Sequence, residues 1–141
     1  MYDLSPFEEL VWQLIEKLIQ VNKDRHEACK KGKRLLFIES GSTEDFRNGK
    51  KQTKSEKELW KFLTGLPARD LILIQTLRYL GRQDFGPEEF EERYKSEKGM
   101  WSGVEEAARG LMCTMNLPFW LYSGLMYSTE VPIDFEKLIV M

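Results

Sequence analysis

Acidic side chains gather around a glycine in YLGRQDFGPEEF, residues 79–90, and carboxylates beside a glycine are the raw material of a calcium loop. An EF-hand loop needs oxygen ligands at its first, third and fifth places, a glycine at the sixth and a glutamate at the twelfth. With Glu89 as the closing glutamate, the early ligand places hold Arg78, Leu80 and Arg82. With Glu92, Gly86 falls correctly, but the ligand places hold Gly81, Gln83 and Phe85. Neither register binds calcium. The same letters fit a corner between helices. Gly81 supplies a left-handed stop, Gly86 an N-cap, Pro87 a first helical residue, and Phe85 with Phe90 a hydrophobic staple. That leaves Arg82 and Asp84, a surface pair and the first candidates for a ligand or partner contact.

Other chemistry is thinly supplied. The one histidine, His26, lies three residues before Cys29, and Lys30 and Lys31 follow closely enough to lower a thiol pKa. Together with the distant Cys113 these make no zinc pattern. There is no phosphate-cradling glycine loop and no nucleophile elbow. The run EEFEE, residues 88–92, reads as a solvated helix face. No catalytic, cofactor-binding or metal-binding residue is assigned, and an enzyme is not the expected class.

Charge and aromatic side chains point instead to binding. The net charge is only −2, but residues 22–34 carry +4, residues 47–57 carry +4, and residues 84–97 carry −4. Lys30, Lys31, Lys50 and Lys51 are the candidate basic patch for nucleic acid or phosphate, without any recognition helix or stacking stripe to read bases. Trp101, Phe119, Trp120, Tyr122 and Tyr127 cluster late in the chain. Most should be core, and Trp101 and Trp120 are the candidate contacts to a protein partner or a second copy. The expected function is a non-enzymatic interaction or adaptor module. The alternative is a nucleic-acid or phosphate-binding accessory protein working through residues 23–57.

These candidates must be positioned by helices. Ser5, Pro6 and Glu8 open a first helix, and Phe7, Leu10, Val11, Leu14, Ile15, Leu18 and Ile19 form its apolar stripe. Beyond Val21 the stripe fades, and Gly32 is the natural end of a weakly anchored last segment. LLFIES, residues 35–40, fits a strand or a packed loop, and residues 39–54 read as a polar mobile loop. Ser55 with Glu58 and Ser102 with Glu105 are further capping boxes, and Asp134 caps a short tail helix. The expectation is one all-α domain of about five to six helices. Residues 1–34 form an N-terminal helix, 55–127 the core and 131–141 a tail.

The segments FLTGLPARDLILIQTLRYLGRQDFGPEEFEERY and AARGLMCTMNLPFWLYSGL resemble a small bacterial family of domains of unknown function, across roughly residues 60–126. The resemblance rests on Leu80, Gly81, Arg82, Asp84 and Phe85 in an LGR-x-DF corner, then on Pro118, Leu121, Tyr122 and Leu125. Gly86 departs from the pattern, where a stronger capping residue is expected. The resemblance implies a bacterial helical domain and carries no functional residue with it. GLMCTMNLPFWLYSGLMYST, residues 110–129, is uncharged and long enough to span a bilayer, but Asn116 and Pro118 divide it into two buried helices. The acidic start MYDLSPFEEL is unlike a signal peptide, so the expected place is the cytoplasm.

Overall fold

Each helix start has a chemical cause, and the starts are not always those the sequence favours. A computed structural model describes residues 5–32, 43–48, 52–114, 116–129 and 133–140. Helix α1, Pro6–Lys30, opens as expected, with the Ser5 hydroxyl accepting from the Glu8 N–H at 3.2 Å. Gly32, at φ +74°, takes the left-handed conformation just beyond its end. Helix α3, Lys54–Thr64, begins two residues earlier than expected. Thr53 and Glu56, not Ser55 and Glu58, form the reciprocal capping box. Helix α6, Val104–Met112, has Gly103 as its N-cap residue, at φ +112°, with no side-chain cap, so the expected Ser102–Glu105 box is absent. Glu105 turns instead to Arg47.

Part of the expected polar loop 39–54 is also helical. Thr43–Asn48 forms a short helix, α2, with Phe46 buried and stacked on Trp60 at 5.8 Å between ring centroids. Residues 39–42 and 49–51, and with them Lys50, Lys51 and the run 35–40, lie outside the described residues. The remaining elements are α4 (Ala68–Gly81), a single 3₁₀ turn at Pro87–Glu89, α5 (Phe90–Gly99), α7 (Leu117–Tyr127) and α8 (Phe135–Ile139). Asp134 caps α8 as expected, its carboxylate accepting from the Lys137 N–H at 3.1 Å. The described residues thus form eight α-helices and no strand, an all-α bundle. Of the two short helices, α8 is the expected tail helix and α2 is the unforeseen one. No helix among them is long and apolar enough to cross a membrane.

Helix α4 is the axis of the bundle. Leu71, Ile72, Leu73, Ile74, Leu77 and Leu80 are all buried, so apolar side chains surround the helix rather than striping it. Thr76 is buried among them because its hydroxyl donates to the Ile72 carbonyl at 2.8 Å. Helices α5, α6, α7 and α8 pack around α4, while α1 lies across α3, α7 and α8.

The α4–α7 crossing is the closest, and it corrects the reading of Gly81. Gly81 is helical and buried, and the left-handed residue at this corner is Gln83, at φ +63°. A Cβ on Gly81 would fall 1.8 Å from the Trp120 carbonyl oxygen, and one on Gly124 would fall 2.5 Å from the Leu77 carbonyl oxygen. Glycine is required here for approach, not for turning. Gly86 and Pro87 do start the next segment as expected, with the Phe85 and Phe90 ring centroids 6.2 Å apart.

Candidate functional site

Among the described residues, the α1–α7 pair carries four of the six exposed large apolar side chains, Met100 and Val140 lying elsewhere. On α7, Phe119, Tyr122 and Met126 recur at three- and four-residue spacing and therefore share a face. They are 60%, 46% and 41% exposed, and Ile19 on α1 is 44% exposed. Trp12, half-buried on α1, meets Tyr122 edge-on with ring centroids 5.8 Å apart. One turn of α7 away, Phe119 and Ile19 line a shallow groove of about 460 Å³ with Asn22, Lys23, His26, Asn116 and Pro118. The helices run antiparallel, with an apolar floor toward the start of α1 and a basic, amide-bearing rim toward its end. Asn116, at φ +60°, turns the chain into α7 and so fixes the rim.

A second hollow of about 270 Å³ adjoins this groove, sharing Asn22, Asn116 and Pro118, and is lined further by Arg25 and Thr114. Its cation is already engaged. Arg25 donates to Glu56 at 3.1 Å, and Glu56, at 1% exposure, also accepts from the Thr53 N–H at 3.2 Å. Thr114 accepts from Arg78 at 2.7 Å. Chemically the surface can bury an apolar side chain and offer hydrogen bonds and positive charge beside it.

Among the described residues, those nominated from the sequence do not gather into one site. Arg82 and Asp84 pair with each other across 3.8 Å at an exposed corner. Beside them, Gln83 hydrogen-bonds the Tyr127 hydroxyl. Trp101 and Trp120 are both half-buried, Trp101 against the core and Trp120 against Phe119, with ring centroids 5.1 Å apart. Lys30 lies 3.9 Å from Glu27, and Lys31 is exposed just past the end of α1. Cys29 is exposed and Cys113 half-buried, neither in a disulfide. No cluster of three metal-ligating side chains occurs among the described residues. Among the described residues, the exposed aromatic side chains are Phe119 and Tyr122. Their shared helical face is legible in the sequence, but which face of α7 looks outward is not.

Two carboxylates on α6 have a structural task. Arg47 donates to both oxygens of Glu105, at 2.6 and 2.8 Å, and Glu106 accepts from Thr43 and from Arg109. The hydrogen bond from Arg47 holds the Glu105 carboxyl below its ordinary value, and the bonds from Thr43 and then Arg109 do the same for Glu106. A lowered folded-state pKa means these contacts favour the fold above the ordinary carboxylate range and stop doing so as pH falls through the lowered values. Helix α2 is therefore expected to loosen from α6 at acid pH before the α4 core opens. The protection factor of the Phe46 amide, its exchange relative to the unstructured rate at each pH, should fall ahead of that of Leu73 from neutral to acid pH. Simultaneous loss of protection would contradict it.

A third titratable group has a different character. Burial, with Glu136 adding to it and Arg69 opposing, raises the Asp70 carboxyl. Burial and then Asp70 raise the Tyr94 phenol, whose ring is wholly buried. Such a buried phenol cannot meet a substrate. No family model, curated protein or solved structure matches the chain.

Proposed function

We propose that this protein is a non-enzymatic interaction module that docks through the antiparallel α1–α7 face. One observation carries the reading: Ile19, Phe119, Tyr122 and Met126, four large apolar side chains, are each more than two-fifths exposed on one pair of packed helices. An apolar patch with a polar, basic rim is the anatomy of a protein interface. The rim residues Lys23, His26, Asn22 and Asn116 would supply hydrogen bonds and orientation, while the aromatic side chains supply the buried anchor.

The test places a photo-crosslinking side chain at position 119 in living cells, with a control probe at Glu91 on α5. A discrete adduct at position 119 that vanishes with Ile19→Asp and Tyr122→Asp is the expected result. Both substitutions fall on exposed positions and should leave the fold intact. Adducts at position 119 no different from those at position 91 would overturn the reading.

A further inference from the structure

We infer that the occupant of the α1–α7 face is a second copy of this chain, packed antiparallel with α1 against α1 and α7 against α7. The inference rests on the docking role proposed above for this face. Its evidence lies in the order of side chains on α1. A helix turns 100° per residue, so positions seven apart nearly eclipse one another. Trp12, Ile19 and His26 form one such row on the outer surface of α1. Beside it runs a second row, Glu9, Glu16, Lys23 and Lys30, all exposed.

That second row reads acid, acid, base, base. Laid parallel on itself it places like charges together. Laid antiparallel, it pairs Glu16 of one copy with Lys23 of the other, and Glu9 with Lys30. By twofold symmetry each contact occurs twice. The pairing centres on Ile19, the most exposed large apolar side chain of α1. On α7 the residue level with Ile19 is Phe119, since both line the same groove. The same axis therefore sets Phe119 against its own symmetry copy, in the middle of the contact where anchor residues belong. Tyr122 then meets the part of the other copy's groove edged by Lys23 and His26. Charge order, the apolar centre and the groove all select one arrangement. Nucleic acid, uniformly anionic, would meet Glu9 and Glu16 as well as Lys23 and Lys30.

Sedimentation of the purified chain over a wide concentration range, at low salt, tests this. The expected result is a reversible monomer–dimer equilibrium that weakens as salt rises. Glu16→Lys alone and Lys23→Glu alone should each raise the dimer dissociation constant at least about tenfold, because each sets two like-charge contacts in the interface. Glu16→Lys combined with Lys23→Glu should return it to within about threefold of the parent, since the pairs are only reversed. Lys30 is left unchanged because it already touches Glu27. A chain that stays monomeric at every concentration overturns the inference, as does a dimer that the double reversal fails to rescue. The crosslinker at position 119 separates the two readings. Adducts only with a foreign protein overturn self-pairing and leave the docking face standing, and a probe no different from position 91 overturns both.

Discussion

Gly81→Ala is expected to cost about 3 kcal/mol or more, enough to leave much of a marginally stable chain unfolded at 37 °C. The added methyl would lie 1.8 Å from the Trp120 carbonyl oxygen and 2.9 Å from the Gly124 nitrogen. Neither neighbour is a flexible side-chain end. Both are backbone of α7, so relief requires moving one helix off the other, and with it the core packed between them. Alanine's better helix propensity, worth about 1 kcal/mol, offsets only part of this. Gly110→Ala is the internal control. Gly110 is also helical, in α6, but nothing lies within 4 Å of a Cβ placed there. That substitution should stabilise by about 0.5–1 kcal/mol through propensity alone. Urea unfolding midpoints of the two variants should therefore move in opposite directions, and a Gly81→Ala protein as stable as its parent would refute the close crossing.

Removing Arg25 should be nearly as damaging, by another route. Glu56 is buried and faces Arg25 across 3.1 Å, while Arg25 itself keeps one-fifth of its side chain exposed. Arg25→Ala leaves the deeper charge without its counter-ion, a change that costs about 3–5 kcal/mol for a well-buried pair. The exposed side of Arg25 places the expectation near the lower end, about 3 kcal/mol. Glu56→Ala removes the same pair and also one half of the α3 capping box, adding about 1 kcal/mol. The double variant should cost clearly less than the two single variants combined, because the interaction can be lost only once. Strict additivity in a thermal or urea unfolding cycle would show that the two side chains act independently.

The contrast between these sites explains what could be read from the sequence. Ser5, Pro6 and the stripe from Phe7 to Ile19 announce α1 because a helix start and its buried face are local facts. Phe85, Gly86 and Pro87, and the cap at Asp134, were legible for the same reason. Thr53-x-x-Glu56 and Ser55-x-x-Glu58 satisfy one pattern equally well, and the choice falls to a residue on another helix. Glu56 is the glutamate that Arg25 can reach. Arg47, likewise distant in sequence, takes Glu105 away from any box with Ser102. The last turns of α1, poor in apolar residues, are held by that same Arg25, with Val21 and Ala28 buried beside it. In sequence Gly81 reads as the left-handed stop that commonly follows a helix, yet its reason is a carbonyl on α7. The candidate site follows the same logic. Tryptophans attract notice by type, but exposure depends on how α7 is rotated against α4, and that rotation is set by Gly81 and Gly124.

The glycine crossing also bears on the order of events in folding. Helices α4 and α7 are separated in the chain by the whole of α5 and α6, so their contact closes a long loop, whereas the hydrogen bonds within each helix are local. A crossing with backbone against backbone tolerates no half-docked arrangement. It should form late and all at once, after α5 and α6 have folded back on α4. Strain introduced at Gly81 would then speed unfolding far more than it slows refolding. The proposed docking face, which needs the outer side of α7 set beside α1, is complete only after that last step.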